Sequence, residues 1–291
     1  MNYQKQSLKL HQQFGGKLEI KSKVPLANKD DLATFYTPGV AEPCRVIAKD
    51  KDKSFDLTWR KNTIAIVTDG SAVLGLGNIG PEAGMPVMEG KAAIFKEFAD
   101  VDAVPICLAT QETEEIITAV KNLEPSFGGI NLEDIAAPRC FEIEKRLSQD
   151  LNIPVFHDDQ HGTAIAVLAA LINSLKIVNK KISDIKIVFS GAGAAGIATA
   201  KLLIAAGAKN IILCDSKGAI AQDRKDLNSA KLEMIKYNLH NEQGDLKTVL
   251  QNTDVFIGLS APDLLKATDI KTMNQDAIVF ANACAAARNI F

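Results

Sequence analysis

The chain has 291 residues, and its 33 Lys and Arg against 35 Asp and Glu give a formal net charge of −2. This balance excludes a strongly basic nucleic-acid-binding protein and a polybasic membrane anchor. Apolar residues make up 47% of the chain, which is typical of folded globular proteins, and the length allows two domains. The most apolar long stretch, 163–178, contains polar residues and is too short to span a bilayer. We therefore expect a cytoplasmic protein that binds neither nucleic acid nor membrane.

Alternating apolar runs and amphipathic stretches predict an α/β fold built on a mainly parallel sheet. Residues 1–60 are mixed and helical in character, and the alternation begins at residue 62 and starts again at residue 185. Predicted strands cover 63–68, 103–108, 153–156, 185–189, 211–214, 255–257 and 277–280. Predicted helices cover 89–98, 113–123, 138–147, 163–178 and 194–206. We place a domain boundary in the polar segment between the two cycles, which gives domains 1–178 and 179–291.

A glycine-rich turn follows the predicted strand 185–189 and opens the next helix. It comprises Gly191, Ala192, Gly193, Ala194, Ala195 and Gly196. In this GxGxxG pattern the glycines allow a tight turn, close approach of a pyrophosphate and close packing of helix on strand. The helix N-terminus would supply amide donors to phosphate. The segment therefore predicts a Rossmann-like dinucleotide site.

An acidic residue in the expected place strengthens this interpretation. Asp215 ends the next predicted strand, 215 − 196 = 19 residues after the last glycine. A carboxylate at this position would bind a ribose 2′-hydroxyl, which favours NAD. Lys217 and Arg224 lie just beyond it and would instead suit the 2′-phosphate of NADP. Both cofactors therefore stay open.

A second GxGxxG run, at 75–80, lacks this context. It follows the strand 63–68 by several residues, and Pro81 and Gly84 argue against an immediate helix. We predict a structured loop lining a site, without a second dinucleotide fold.

Two acidic pairs are predicted to meet at one edge of the first sheet. Glu133 and Asp134 follow the apolar segment 127–130, and Asp158 and Asp159 follow the strand 153–156. Carboxyl ends of parallel strands converge where ligands bind. Close carboxylates without thiols suit Mg²⁺ or Mn²⁺. The alternative is that each pair only caps a helix or lies in a solvated loop.

Two further side chains are candidates for proton transfer. Lys91 lies on an apolar helical segment, where a lysine near a metal can act as a base, although a lone lysine is usually a surface residue. Tyr36 precedes a Thr-Pro-Gly turn, and on its own it would be a packing residue with a solvated hydroxyl.

Five motifs in order resemble the malic enzymes of the small bacterial type. They are FYTPGVAEPC at 35–44, VTDGSAVLGLGNIGPEAGMPVMEGK at 67–91, GINLED at 129–134, PVFHDDQHGT at 154–163 and SGAGAAG at 190–196. The resemblance extends from about residue 10 to residue 280. It implies an N-terminal catalytic domain followed by a Rossmann-like domain that binds NAD or NADP.

The resemblance also implies roles for individual residues. Tyr36 matches the general acid and Lys91 the general base, while Glu133, Asp134 and Asp159 match the ligands of Mg²⁺ or Mn²⁺. Asp158 would not bind the metal itself but would be a partner of the residues that do. The implied reaction is oxidative decarboxylation of malate to pyruvate and CO₂ by a homodimer or higher homo-oligomer.

The sequence departs from the family pattern after Phe280. The family carries an Asn-containing FAMANP-like motif there and a further stretch that closes the cleft. Asn282 is the candidate for the first Asn, but the register and the prolines differ, and the tail resembles a truncation. Two alternatives follow: a catalytically impaired remnant that binds cofactor, and a malolactic enzyme that converts malate to lactate.

Overall fold

A computed structural model describes residues 2–73, 76–261 and 263–281 of the chain. Backbone proximity divides these into two compact units. Unit 1 comprises the described residues of Met1–Val73, Asn78–Glu133 and Lys145–Phe156. Unit 2 comprises those of Leu74–Gly77, Asp134–Glu144 and His157–Phe291.

Twelve α-helices and nine strands are present in the described part of the chain. The helices are α1 (Tyr3–Phe14), α2 (Lys29–Phe35), α3 (Ala41–Lys49), α4 (Lys53–Leu57), α5 (Pro81–Ala99), α6 (Thr113–Leu123), α7 (Arg139–Asp150), α8 (Asp158–Ile177), α9 (Ala194–Ala205), α10 (Ser229–Leu232), α11 (Leu246–Leu250) and α12 (Ala267–Ile270). The strands are β1 (Thr63–Thr68), β2 (Asp102–Cys107), β3 (Gly129–Leu132), β4 (Val155–His157), β5 (Lys186–Ser190), β6 (Asn210–Asp215), β7 (Gly218–Ala219), β8 (Val255–Gly258) and β9 (Ile278–Ala281).

The first sheet has the strand order β2-β1-β3-β4. Strand β1 pairs in parallel with β2, from Thr63 opposite Asp102, and in parallel with β3, up to Val67 opposite Leu132. Its side chains are almost entirely buried, as expected for a strand inside a parallel sheet. This register brings the residues that follow β3 to the carboxyl edge of the sheet, where a site is expected.

The second sheet has the order β7-β6-β5-β8-β9, with only the short edge strand β7 antiparallel. Buried side chains of β5, such as Ile187 and Phe189, pack with Leu171 of α8 and Leu203 of α9. Helices α8 and α9 therefore cover one face of this sheet, and the β5–turn–α9 segment has the arrangement expected of a dinucleotide-binding unit.

The α/β class and the parallel sheet are confirmed, and β1 and α6 have the predicted bounds. Two helices begin earlier than predicted: α8 starts at Asp158 and not at residue 163, and α5 starts well before residue 89. Helix α5 begins at Pro81 and continues through Gly84 and Pro86. At the first position of a helix the backbone N–H has no hydrogen-bond partner within the helix, so the missing N–H of proline costs nothing there. Pro81 therefore begins the helix instead of preventing it.

Within the described residues, every helix is too short or too polar to cross a bilayer. The predicted domain boundary at residues 178 and 179 stays a prediction.

Candidate active site

Lys91 lies in the middle of helix α5, and its Nζ is 3.2 Å from Oε1 of Glu133. Both side chains are largely withdrawn from solvent, at 21% and 7% exposure. Glu133 directly follows strand β3, which carries it to the carboxyl edge of the sheet. The lysine is therefore a partner of a buried carboxylate and is not an ordinary surface lysine.

Asn131 is a site residue that the sequence analysis missed. It lies on β3 and is buried, and its Nδ2 donates a hydrogen bond of 3.0 Å to Oε2 of Glu133. Lys91 and Asn131 thus hold one carboxylate oxygen each. The signal was present in the sequence, because Asn131 lies two residues before Glu133 in a run of otherwise buried apolar residues.

Asp134 and Asp159 are brought together as predicted. The backbone amide of Asp134 donates to Oδ2 of Asp159 at 3.0 Å. Asp134 has a φ of 54°, in the left-handed region that Asp and Asn tolerate better than most residues. Asp159 lies in the first turn of α8, where the helix dipole stabilises a negative charge.

The three predicted metal ligands form one local group. Glu133, Asp134 and Asp159 each offer a carboxylate oxygen, and these oxygens lie within 4.8 Å of one another. The first two residues are buried, and close buried carboxylates are unfavourable unless positive charge compensates them. Lys91 supplies one positive charge. A set of carboxylate oxygens of this kind fits Mg²⁺ or Mn²⁺ better than zinc.

The first turn of α8 is held by neighbours within unit 2. Glu144 of α7 accepts a hydrogen bond from Nε2 of Gln160 at 3.0 Å and contacts Nε2 of His161 at 2.5 Å. His157 is fully buried at the end of β4, with its Nε2 3.5 Å from Oδ2 of Asp159. These contacts fix the helix turn that carries Asp158 and Asp159.

The glycine-rich turn at 191–196 has the geometry predicted for a pyrophosphate cradle. Gly191 has a φ of 117°, and a Cβ on Gly196 would lie 2.0 Å from the Gly191 carbonyl oxygen. By contrast, a Cβ on Gly193 would meet no atom within 4 Å. Gly193 is the N-cap of α9 and makes no side-chain cap. The space beside it, at a helix N-terminus, fits an anionic group.

This contrast predicts opposite effects for two alanine variants. Gly196→Ala should cost more than about 3 kcal/mol of folding free energy, because its methyl group would overlap the backbone. Gly193→Ala should keep the wild-type melting temperature but weaken dinucleotide binding by about tenfold or more, since its methyl group would occupy the space for phosphate. Thermal unfolding and fluorescence titration with NAD and NADP measure the two effects. Wild-type affinity in a folded Gly193→Ala protein would exclude the cradle.

Asp215 ends β6 as predicted, but its carboxylate is part of an ion-pair network. Arg224 donates to both oxygens at 3.2 and 3.1 Å, Lys231 Nζ lies 2.6 Å from Oδ2, and the Lys217 amide donates to Oδ1 at 2.9 Å. Arg224 also pairs with Asp226. Lys231 was missed because it lies 16 residues away along the chain, in a segment with no motif.

These contacts change the acidity of Asp215. Burial alone would raise its pKa, but the hydrogen bonds from Arg224, Lys231 and the Lys217 amide outweigh burial and lower the pKa from 3.8 to about 2. A carboxyl group with a lowered folded-state pKa stabilises the fold above its unfolded pKa. That contribution is lost as the pH falls from about 4 to about 2.

Asp215→Asn should therefore reduce the free energy of unfolding at neutral pH by at most about 2 kcal/mol, after allowance for solvent screening. The difference from wild type should shrink between pH 4 and pH 2. Urea unfolding at a series of pH values measures it, with Asp223→Asn, at an exposed aspartate of the same unit, as the control. A difference that stays constant across this pH range would contradict the assigned network.

Tyr36 follows α2, and its side chain is 66% exposed. Within residues 2–73, 76–261 and 263–281, no hydrogen bond joins its hydroxyl to Lys91. The role of Tyr36, as general acid or as a packing residue with a solvated hydroxyl, stays a prediction. The glycine run at 75–80 is described only in part. There, the amides of Ile79 and Gly80 both donate to the Gly70 carbonyl oxygen at 3.1 Å. Asn282 lies outside the described residues.

Comparison with known protein families agrees with this geometry. The model of the malic enzyme N-terminal domain matches residues 15–116 and 109–148, and the model of the malic enzyme NAD-binding domain matches residues 160–281. The chain belongs to the malic enzyme family. The site described above lies within these matched malic enzyme domains, apart from His157, Asp158 and Asp159, which directly precede the second match.

Individual malic enzymes are similar over nearly the whole chain. The NAD-dependent malic enzyme of Geobacillus stearothermophilus is 59% identical over 93% of this chain. The bifunctional malic/malolactic enzyme of Bacillus subtilis is 54% identical over 97% of this chain and 70% of its own length. The chain spans only 57% of the Geobacillus relative.

The crystal structure of the NAD-dependent malic enzyme from Thermotoga maritima matches with a TM-score of 0.92 and 50% identity. The match covers 95% of this chain and 74% of that one. The fold of the family is therefore present across the two matched malic enzyme domains.

Proposed function

We propose that this chain oxidises and decarboxylates malate to pyruvate and CO₂, with reduction of NAD or NADP and a requirement for Mg²⁺ or Mn²⁺. The observation that carries the proposal is the pairing of Lys91 with Glu133 at 3.2 Å. Glu133 belongs to the group of three carboxylates that could hold a metal ion, and the chain is a member of the malic enzyme family. A base and a cation site so close together would suit a small hydroxy acid.

Lys91 is the proposed general base: in its neutral amine form, which the positive charge of a bound cation would favour, its Nζ takes the proton from the C2 hydroxyl of malate and becomes the ammonium. Glu133 fixes the position of its Nζ, and Asn131 fixes Glu133. Tyr36 is the proposed general acid, which returns a proton to C3 after CO₂ leaves. A divalent cation held by Glu133, Asp134 and Asp159 would supply polarisation of the C2 oxygen, and a dinucleotide held by the glycine turn would supply the hydride acceptor.

Glu133, Asp134 and Asp159 are the proposed cation ligands. Their support comes from the proximity of three oxygens and from the burial of two of the residues. Asp158 is proposed to support the ligands from the same helix turn. Its Oδ1 would lie 2.6 Å from a Cβ on Gly162, so glycine at 162 leaves room for this side chain.

The dinucleotide is proposed to bind along the turn formed by Gly191, Ala192, Gly193, Ala194, Ala195 and Gly196, with Asp215 near its ribose. The choice between NAD and NADP depends on the Asp215 network. Arg224 and Lys231 neutralise Asp215 in the structure. A 2′-phosphate would compete with Asp215 for these cations, whereas a 2′-hydroxyl would need Asp215 itself.

The location, the oligomeric state and the domain division of the protein are also proposals. We propose a cytoplasmic homodimer or higher homo-oligomer whose ligands are malate and pyruvate and which binds no nucleic acid. The division into an N-terminal catalytic domain, 1–178, and a dinucleotide domain, 179–291, is proposed on the glycine turn and on the family matches.

Product analysis tests the proposed reaction against its alternatives. Incubation with L-malate, Mn²⁺ and either nucleotide should yield pyruvate together with reduced nucleotide. Lactate without reduced nucleotide would favour the malolactic reaction, which is part of the name of the Bacillus subtilis relative. Nucleotide binding without any product would favour the catalytically impaired remnant.

A further inference from the structure

The N-terminal fifth of the chain has no buried side chain among residues 2–60. It nevertheless contains fifteen of the twenty-seven large apolar side chains that are exposed in the described residues. An aromatic side chain presents roughly 150–250 Å², so fifteen partly exposed apolar side chains offer on the order of 1,000 Å². A standard interface takes about 800 Å² from each partner. This part of unit 1 therefore has enough apolar surface for a stable protein interface.

One segment of this region has the pattern of a β-strand without being paired. Residues 18–22, Leu-Glu-Ile-Lys-Ser, alternate apolar or small with charged side chains, which is typical of a half-buried strand. Ile20 is 90% exposed, the highest value among the exposed large apolar side chains of the described residues. In this part of the structure, the backbone groups of these five residues make no backbone hydrogen bond to another segment.

The segment is fixed at both ends. Lys17 Nζ donates to the Pro86 carbonyl oxygen of α5 at 2.8 Å. At the other end, Ser22 Oγ donates to the Val24 carbonyl oxygen at 2.7 Å and accepts from the Val24 amide at 3.2 Å, which closes a turn. The five residues centred on Ile20 are thus held at both ends, while their backbone groups make no hydrogen bond to another segment within the described residues. Open strand edges of this kind are templates for pairing with another chain.

We propose that residues 18–22 pair in antiparallel fashion with the same residues of a second copy of this chain, about a two-fold axis at Ile20. A two-fold interface must be self-complementary. In an antiparallel pair centred on Ile20, Glu19 lies opposite Lys21 of the other copy, and the reverse pair forms by symmetry. Opposite charges that face each other across strands are stabilising, and like charges are destabilising.

The same register places the two Ile20 side chains against each other. It also places Leu18 opposite Ser22, so that the apolar side chains of both copies share one face of the pair. The five-residue pairing alone would be weak. Apolar side chains of α1 that line one cavity together with Leu18, namely Tyr3, Leu10 and Phe14, supply the remaining surface. The proposal specifies the contact that underlies the proposed homodimer.

Charge reversal tests the register directly. Glu19→Lys places two lysines of one copy opposite two of the other, and Lys21→Glu does the same with glutamates. Each single variant should therefore raise the dimer dissociation constant, by about tenfold. An equimolar mixture of the two variants should form a mixed dimer at least as readily as wild type, because two lysines then face two glutamates. The double variant should also dimerise like wild type. Sedimentation velocity on the 291-residue chain over a dilution series measures these constants.

An apolar control completes the experiment. Ile20→Asp should raise the dissociation constant by about a hundredfold. Ile177→Asp, at a residue with 85% exposure in unit 2, should leave it unchanged. A monomeric wild type, an unaffected Ile20→Asp protein, or a mixture that fails to recover dimers would each overturn the proposal. Malate oxidation is assayed on the same samples, so a failure of the interface and a failure of the proposed reaction are seen separately.

Discussion

Replacing Lys91 with alanine is expected to lower kcat for malate oxidation by about 10²–10⁴-fold, the usual contribution of a general base. Dinucleotide affinity should stay within about twofold of wild type, because Lys91 is not one of the residues proposed to contact the dinucleotide. Steady-state kinetics with saturating malate, together with a binding titration for the nucleotide, separates the two quantities.

A second variant distinguishes proton transfer from charge pairing. Lys91→Arg keeps a cation against Glu133, but a guanidinium does not deprotonate and cannot serve as a base. It should fold normally and be nearly as inactive as Lys91→Ala. Lys121→Ala is the matched control, since Lys121 pairs with Asp150 at 3.0 Å on the surface of the same unit. A Lys91→Arg enzyme with substantial activity would exclude the role of general base.

Asp159→Asn should weaken Mn²⁺ binding by about a hundredfold or more. Loss of even an outer-sphere partner of a metal commonly costs 10–100-fold in affinity, and this change removes one of three proposed carboxylate ligands. The carboxamide oxygen of Asn can still accept the hydrogen bond from the Asp134 amide, so the local backbone should be preserved. Isothermal titration with Mn²⁺ measures the effect without any need for turnover.

The control for this experiment is Asp150→Asn, which removes a carboxylate from the end of α7 away from the proposed ligands. Its Mn²⁺ affinity should equal that of wild type. If Asp159→Asn bound Mn²⁺ as tightly as wild type, Asp159 would not be a ligand. The carboxylates would then be explained by the helix-capping alternative.

The general position of the site could be predicted because it depends on topology. Glu133 and Asp159 are 26 residues apart, but each follows a strand of one parallel sheet, and such ends converge. The same logic applies to the glycine turn, which follows β5, and to Asp215, which ends the neighbouring strand β6. In both cases the sequence contains a strand pattern with a characteristic residue or turn at its carboxyl end.

The remaining contacts depend on side chains that no local pattern marks. Asn131 resembles an ordinary strand residue until the structure places its amide against Glu133. Lys231 reaches Asp215 from a separate segment of unit 2. Helix α5 was misjudged at Pro81 because proline breaks the interior of a helix but suits its first turn. Sequence patterns predict helices, strands and the sheet edge at which a site lies. The partners of a charged side chain depend on the tertiary fold.

The most direct test of the proposed activity is the initial rate of nucleotide reduction by the purified 291-residue chain with L-malate, in the presence and absence of Mn²⁺. The account predicts a rate that requires Mn²⁺, with one pyruvate formed for each nucleotide reduced. The account would be contradicted if the protein bound both Mn²⁺ and nucleotide but reduced neither NAD nor NADP when malate and Mn²⁺ were added.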